Sequence, residues 1–315
     1  MRPNAAVLDW LAIVPMLGAG WLLREFRRRG VKNLPRTRRA LTRLGVFPII
    51  DHYYEPLFNP RHLRHSLAVE RELPGLDLRE ADQLELLRSL RWTSEIERWP
   101  TAELPGIGRA FPLADTQYGP GDAEFLYSIL RTVRPRKVLE IGCGGSSKII
   151  QLAVRATEAE SGIQCRHICV EPYENPWLEE LGIEVIRARI EDTELSLFSA
   201  LEEGDLLFID SSHMIRPQGD VLFEFQSIIP RLRKGVLVHV HDIFTPRDYP
   251  ASWVVDKVKF WNEQYLLEVM LAGSVRYEVV AALNFLKHRH FEALRSVCPF
   301  LLRSNEPGAF YFRIK

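Results

Sequence analysis

The chain has 315 residues, of which 46% are hydrophobic and 26% are charged. This is an ordinary globular composition, long enough for one large α/β domain with an extension. Basic and acidic residues balance at 41 each, so no overall charge favours nucleic acid as a partner. The four cysteines form no C-x-x-C pair, which favours small buried side chains over a disulfide framework.

The N-terminus combines an apolar and a basic segment. Residues 4–23 are mostly apolar, interrupted by Asp9 and Pro15, and residues 24–43 are rich in arginine. The uncharged run, residues 10–23, would span about 21 Å as a helix, short of the roughly 30 Å of a bilayer core. Three interpretations stay open: a helix packed on the protein or on a second copy, peripheral membrane contact through residues 4–43, or a true span. The expected location is cytoplasmic, with or without membrane association.

Further along, leucine spacing in residues 82–90 predicts a helix, and the aromatic and proline-rich residues 52–60 predict a loop. Gly121 and Asp122 indicate a helix start, with Asp122 as the candidate N-cap, and the helix is expected to end near Val133. Short apolar runs then alternate with helical stretches, which is typical of βαβ units and a parallel sheet. The predicted strands are 138–141, 167–170, 184–187, 206–209, 236–240, 276–282 and 309–314.

The run V-L-E-I-G-C-G-G-S-S at residues 138–147 predicts a strand, a tight turn and a helix. A dinucleotide fingerprint would need glycine at position 147, where the chain has Ser147, and the lysine of a P-loop is absent. Glu140 would repel a pyrophosphate but would suit a cationic ligand. Glu171, at the end of the next strand, suits the two hydroxyls of a ribose.

These segments resemble a known family. Residues 138–147, 170–172 and 205–210 are similar to successive motifs of class I S-adenosylmethionine-dependent methyltransferases, over residues 120–315. Residues 208–213 and 238–244 resemble a bacterial small-molecule branch and, more distantly, the macrocin-type O-methyltransferases. The resemblance implies an α/β fold: a doubly wound, mostly parallel seven-stranded sheet with an antiparallel C-terminal hairpin. The expected domains are a helical N-terminal extension, residues 1–117, and a methyltransferase domain, residues 118–315.

The resemblance also implies roles for the matched positions. Glu140, Gly142 and Gly144, with Ser146 beside them, would cradle the methionine part of S-adenosyl-L-methionine. Glu171 would hold the ribose, and Ile190 and Glu191 would flank the adenine. Asp210 would lie under the transferring methyl group.

Four groups are expected at the ends of adjacent central strands: Asp210, His213, His241 and Asp242. Methyl transfer needs positioning and removal of a proton from the acceptor, which His213 or His241 with Asp242 could provide as a base. Alternatively, Asp210, His241 and Asp242 could hold Mg²⁺ or another divalent metal. The macrocin-type proteins use carboxylates here, and His241 departs from that pattern. A third alternative is that the histidines only form local hydrogen bonds.

The favoured function is methyl transfer to a hydroxyl of a small molecule, such as a natural product or a glycan. An N-methyltransferase and a non-catalytic cofactor-binding or scaffold protein are the alternatives. The expected partners are a small-molecule acceptor, no nucleic acid, and either a second copy of the chain or a membrane surface. The identity of the acceptor does not follow from the residues.

Overall fold

A seven-stranded sheet organises the computed structural model of the chain, which describes residues 5–99, 103–104, 108–109, 118–173 and 175–315. The strands are β1 (Lys137–Ile141), β2 (Arg166–Val170), β3 (Glu184–Ile186), β4 (Leu206–Ile209), β5 (Leu237–Val240), β6 (Tyr277–Ala282) and β7 (Phe310–Ile314). Their order is β3-β2-β1-β4-β5-β7-β6. Strands β1 to β5 pair in parallel, and β7 runs antiparallel to both β5 and β6.

The predicted fold class is confirmed. Every predicted strand of the sheet is present, with each end within one residue of its predicted position. The chain proceeds outward from β1 to β3 and then returns to β4 on the other side, which makes the sheet doubly wound. Strands β6 and β7 pair as predicted, but two short helices join them instead of a tight turn.

The chain forms two compact units. The N-terminal unit comprises Met1–His65 and Ser252–Phe260, and the sheet unit comprises Ser66–Ala251 and Trp261–Lys315. Residues 66–99, expected in the N-terminal extension, therefore group with the sheet. The expected domain boundary after residue 117 adjoins residues 110–117, which lie outside the described residues.

The helices of the N-terminal unit are α1 (Ala5–Arg28) and α2 (Pro35–Arg43). Those of the sheet unit are α3 (Glu80–Ser89), α4 (Thr93–Ile96), α5 (Asp122–Val133), α6 (Gly145–Ser161), α7 (Ser196–Ser199), α8 (Asp220–Phe223), α9 (Glu263–Leu271), α10 (Leu283–Arg289) and α11 (Phe291–Arg295). Short 3₁₀ turns lie at Val31–Asn33, Pro60–His62, Pro176–Leu181, Ile190–Asp192 and Ile229–Arg231, and π turns at Glu224–Ile228 and Ser252–Asp256. A two-residue hairpin pairs Glu103–Leu104 with Gly108–Arg109. The predicted helix at 82–90 corresponds to α3, and residues 52–59 contain neither helix nor strand.

The centre of the sheet is apolar on both faces, as a parallel sheet covered by helices requires. Every residue of β4 and β5 is buried. The polar residue among them is His239, whose ring stacks on Phe208 at a centroid distance of 4.1 Å. This stacking keeps the two central strands in contact directly below the ends that carry the predicted site.

The start of α5 differs from its prediction. Gly121, with a φ of +95°, is the N-cap, and Asp122 is the first helical residue. The buried Asp122 carboxylate instead accepts the N–H groups of Gly308 and Ala309, at 3.1 and 2.8 Å. Asp122 therefore connects α5 to the segment before β7 instead of capping its own helix.

Glu124 supplies the cap that Asp122 does not. Its carboxylate accepts the Gly121 N–H at 2.6 Å and the Phe300 N–H at 2.7 Å. Burial raises the pKa of Glu124 to about 7, although both N–H groups lower it. The folded chain therefore holds a proton here, between pH 4.5 and 7, that the unfolded chain has lost.

We predict that this proton makes stability fall with pH. Because the folded form binds more protons in this window, the free energy of unfolding should decrease from pH 4.5 to pH 7, relative to a Glu124→Gln variant. The decrease should be on the order of 2–3 kcal/mol. Urea unfolding at pH 4.5, 6 and 8 measures it. Parallel profiles for the two proteins would contradict the prediction, and exposed Glu97→Gln serves as the control.

Candidate active site

The turn after β1 brings two strand ends together. Gly142 has a φ of +74°, and a Cβ placed on it would lie 1.8 Å from the Asp210 carbonyl oxygen. The Gly142 N–H donates to the Val170 carbonyl at 3.1 Å, and the Asp210 N–H donates to the Ile141 carbonyl at 2.9 Å. Both the positive φ and the close approach require glycine here. The ends of β1, β2 and β4 therefore meet around one residue.

Glu140 lies beneath this turn and not in front of it. Its fully buried carboxylate accepts Ser146 Oγ at 2.6 Å, Ser147 Oγ at 2.8 Å and His167 Nε2 at 2.9 Å. Burial lowers the pKa of His167, but Cys169 and Glu140 outweigh it and raise that pKa to about 10. The expectation that Glu140 faces a cationic ligand is corrected, since its oxygens are taken up by the turn and by β2. Ser146 is turned inward by the same contact.

A cavity of about 360 Å³ opens in front of the turn. It brings together five of the predicted cofactor residues: Gly142, Glu171, Ile190, Glu191 and Asp210. Gly144 and Ser146 are not among the residues that line it. Tyr173 lines the cavity as well, and its N–H donates to the Glu171 carboxylate at 3.0 Å.

Polar residues that the sequence did not single out complete the lining. Arg189, Ser212, Arg216 and Asp220 belong to it. Asp220, the first residue of α8, accepts both the N–H and the Oγ of Ser212, at 2.9 and 2.8 Å. The position of Asp220 in the first turn of a helix was the one signal that could have identified it. Nothing in the sequence indicated that α8 packs against the segment after β4.

A second group of side chains adjoins this cavity. His213 Nε2 lies 3.2 Å from Asp210 Oδ1 and 3.5 Å from Asp242 Oδ2. One ligand atom from each of the three lies within 4.8 Å of the others, close enough to share a metal ion. We call these three residues the polar triad. His213 and Asp242 both have left-handed backbone, with φ of 59° and 58°.

Glu263 holds His213 from behind. Its buried carboxylate lies 2.8 Å from His213 Nδ1, and the N–H groups of Asn262 and Glu263 donate to the His213 carbonyl. The ring of Trp261 packs on the imidazole at a centroid distance of 4.2 Å. Burial lowers the pKa of His213, but hydrogen bonds with Asp210 and Glu263 outweigh it and hold that pKa well above 6.5. Glu263 was missed because it is 50 residues away along the chain.

His241 takes a different place from the one predicted. Its Nε2 lies 3.5 Å from Asp242 Oδ1, but it is not part of the polar triad. Its ring is buried, lies tilted against Tyr118 at a centroid distance of 4.9 Å and stacks on His239 at 5.7 Å. The polar triad therefore has His213 in the place that the predicted metal set of Asp210, His241 and Asp242 gave to His241. The chain leaves β5 after Val240, so the side chain of His241 points into the core above His239.

The donor chemistry of the polar triad fits a divalent cation. Two carboxylates and an imidazole are ligands for Mn²⁺, while Mg²⁺ prefers oxygen alone. A carboxylate behind a ligating histidine, as Glu263 is behind His213, is the usual way to fix which ring nitrogen faces a metal. The sequence placed these groups correctly at the strand ends but could not choose between the two histidines.

Comparison with known families identifies the domain that carries this site. Residues 139–243, about a third of the chain, match the family described as a methyltransferase domain. The chain carries a methyltransferase domain. The match begins within β1 and includes the glycine turn, Glu171 and the polar triad, so it covers the residues on which the resemblance was based. The prediction of a methyltransferase is confirmed for residues 139–243.

Solved structures show distant likeness. CmcI, described with Mg and SAM, has a TM-score of 0.35 and 14% identity, over 70% of this methyltransferase and 84% of that chain. CalS11, a TDP-rhamnose 3'-O-methyltransferase of calicheamicin biosynthesis, has a TM-score of 0.42 and 12% identity, over 81% and 99%. MycE, of the mycinamycin pathway, in complex with Mg, SAH and mycinamycin VI, has a TM-score of 0.30 and 17% identity, over 59% and 47%. Similarity at this level assigns no substrate, and no curated protein matches the sequence.

We predict that Gly142→Ala abolishes binding of S-adenosylhomocysteine. The added Cβ would overlap the Asp210 carbonyl and force β1 and β4 apart. Calorimetry should show at least a hundredfold weaker binding, since relieving such an overlap costs several kcal/mol, at about 1.4 kcal/mol per tenfold. Gly162→Ala is the matched control, because Gly162 has a φ of +72° and open space around it. Equal binding by the two variants would contradict the prediction.

Proposed function

We propose that this methyltransferase transfers a methyl group to a hydroxyl of a small molecule, a natural product or a glycan, and that the polar triad holds a divalent cation for this reaction. One observation carries the proposal: Asp210 belongs both to the cofactor cavity and to the polar triad. A group held at the triad would therefore lie beside the cofactor, where an acceptor hydroxyl must be placed for methyl transfer.

The cavity fits S-adenosylmethionine. Its volume of about 360 Å³ is in the range of small-molecule sites, and the buried Glu171 at the end of β2 suits ribose hydroxyls. Ile190 and Glu191 would flank the adenine, and the backbone after Gly142, including Gly144, would approach the methionine part. When bound, the cofactor supplies the methyl group to the acceptor. Glu140 and Ser146 would act from below, by holding the turn.

The cation follows from the hydrogen bonds of His213. When Nδ1 donates its proton to Glu263, the Nε2 lone pair faces the carboxylates of Asp210 and Asp242, at 3.2 and 3.5 Å. Without a metal, the second proton of the His213 imidazole supplies the positive charge between these carboxylates, as the raised pKa of His213 indicates, and a divalent cation would replace that proton. A divalent cation bound there would supply Lewis-acid activation of an acceptor hydroxyl. Asp242 and Asp210 would balance its charge, and Glu263 would keep His213 in the ligating tautomer.

A metal-free base is the competing arrangement. In that case His213, or His241 through Asp242, would take the hydroxyl proton directly. The two arrangements use overlapping residues, so loss of activity in a variant does not distinguish them. Direct measurement of metal binding does.

We predict that the full chain binds one Mn²⁺, measured by electron paramagnetic resonance, and that His213→Ala and Asp210→Asn each weaken this binding at least tenfold. Removing one of three ligands leaves the cation incompletely coordinated, and about 1.4 kcal/mol already corresponds to tenfold. His241→Ala is the matched control and should keep Mn²⁺. The reverse result, loss in His241→Ala and retention in His213→Ala, would restore the metal set predicted from the sequence. Circular dichroism checks that each variant is folded.

We also predict that EDTA abolishes transfer of labelled methyl groups to hydroxylated acceptors, and that Mn²⁺ or Mg²⁺ restores it. The assay uses a panel of nucleotide-activated sugars, polyphenols and amines. Undiminished transfer in excess EDTA would exclude the cation and favour the base. Transfer to amines alone would exclude the O-methyltransferase.

Glu171 provides a separate test of the cofactor site. Glu171→Gln should weaken S-adenosylhomocysteine binding by about 10–100-fold, the usual cost of a hydrogen bond to a charged group. Exposed Glu180→Gln, on the same connection after β2, should bind normally. Unchanged affinity of Glu171→Gln in calorimetry would contradict the proposed contact between Glu171 and the ribose.

A further inference from the structure

Helix α1 leaves an extended apolar surface uncovered. The segment Val7–Arg28 has a mean hydropathy of 1.4 over its most apolar window and 0% of that window is buried. Trp10, Val14 and Leu17 are 78%, 77% and 70% exposed. Water-soluble proteins rarely expose an apolar patch of this kind unless it meets a partner. The helix is therefore not a core helix of this chain.

The partner must accept apolar side chains on every side. At helical spacing Trp10, Val14, Leu17 and Trp21 share one face, but Leu11, Met16 and Leu22 lie on the others and are exposed as well. Residues 10–23 contain no charged side chain, so α1 has no polar face there. A helix that is apolar all round is typical of a lipid environment, whereas a protein partner would cover one face.

The length of α1 suits a bilayer better than the sequence suggested. The helix continues through Pro15, and its part before the basic cluster, residues 7–23, is about 26 Å long with Asp9 as its one charged side chain. The hydrocarbon core of a bilayer is about 30 Å thick. Long side chains such as Arg24 can extend to the lipid surface while their stems stay in the apolar region.

A cluster of basic residues follows the apolar part of α1. Residues 24–43 contain nine arginine and lysine side chains and one acid, Glu25, in a chain whose total charge is zero. Helix α2 has no acid and exposes Arg36, Arg38 and Arg39. Basic residues directly after an apolar helix are attracted to anionic lipid, at roughly 1 kcal/mol each near the surface.

A cavity of about 570 Å³ lies at the basic end of α1. Arg24, Arg27 and Arg28 line it together with His52 and Tyr54. Arg27 is held by an ion pair with Glu55 and by the ring of Phe47, 4.9 Å from the guanidinium, and its buried Nε has no hydrogen-bond partner. Asp51 and Glu55 also line the cavity, so the arginines exceed the acids by one. Guanidinium groups in this number are suited to a phosphate.

We propose that the N-terminal unit binds an anionic phospholipid bilayer, with α1 inserted into the hydrocarbon and the arginine-lined cavity taking a lipid phosphate. The proposal does not depend on the methyl acceptor. It concerns the N-terminal unit alone and is argued from exposure, helix length and charge within that unit.

The test is flotation of the full chain with vesicles. Binding to phosphatidylcholine vesicles that contain phosphatidylglycerol should exceed binding to phosphatidylcholine alone about tenfold or more, and salt should weaken it. Leu17→Glu should reduce flotation at least tenfold, because a carboxylate in hydrocarbon costs several kcal/mol. Val275→Glu, at a position 88% exposed in the sheet unit, should float like the unaltered chain. Normal flotation of Leu17→Glu would overturn the insertion of α1.

The cavity is tested separately. Arg24→Gln with Arg28→Gln should reduce the preference for phosphatidylglycerol several-fold, whereas Arg233→Gln with Arg303→Gln should not. Displacement by inorganic phosphate at millimolar concentration would show a site for the free ion and overturn the lipid site. Calorimetry with S-adenosylhomocysteine confirms that every variant retains a folded sheet unit.

Two other occupants are distinguished by separate results. If the chain is a dimer in light scattering without detergent and does not float with vesicles, a second copy of the chain is the partner of α1. Loss of the N-terminal segment from membrane-fraction protein, measured by intact mass, would identify α1 as a cleaved signal. Either result would overturn the proposal.

Discussion

The close approach of Gly142 to the Asp210 carbonyl is the constraint on which the site depends. It fixes the end of β1 against the end of β4, with less than the space of one methyl group between them. Asp210 therefore lines the cavity proposed for the cofactor and, through its side chain, lies beside His213. This cavity and the polar triad meet at Asp210 because two backbones meet there. A wider turn would separate them.

A buried charged network supports this turn from below. Glu140 and His167 pair at 2.9 Å in the protein interior, where an isolated charge would be costly. The cost is offset because the carboxylate also accepts both serine hydroxyls at the start of α6. The same contacts orient the first turn of that helix. Glu140, which was expected to contact the ligand, thus stabilises the conformation of the glycine turn from below.

The sequence predicted the ends of the strands closely because the strands of a buried parallel sheet appear in the sequence as continuous apolar runs, as in β4 and β5. It also placed Glu171, Asp210 and Asp242 at the correct edge, since parallel strands share the direction of their ends. It could not predict which way a side chain turns once a strand has ended. For that reason the sequence did not show which of His213 and His241 faces the two aspartates. Glu263, whose contact with His213 distinguishes the two histidines, lies 50 residues further along the chain. The predicted Asp122 cap was wrong for a similar reason, because the N–H groups that its carboxylate accepts belong to Gly308 and Ala309, 186 and 187 residues away along the chain.

The left-handed backbone at His213 and Asp242 has one further consequence. Most side chains are disfavoured at positive φ, but aspartate, asparagine and histidine are enriched there. At Asp242 the neighbouring backbone is also close, since a Cβ on Gly308 would lie 3.0 Å from the Asp242 Cα. A longer acid at position 242 would change the reach of its oxygens and would be less favoured in this backbone conformation. The positive φ therefore restricts which residues positions 213 and 242 can carry, before the chemistry of the side chain is considered.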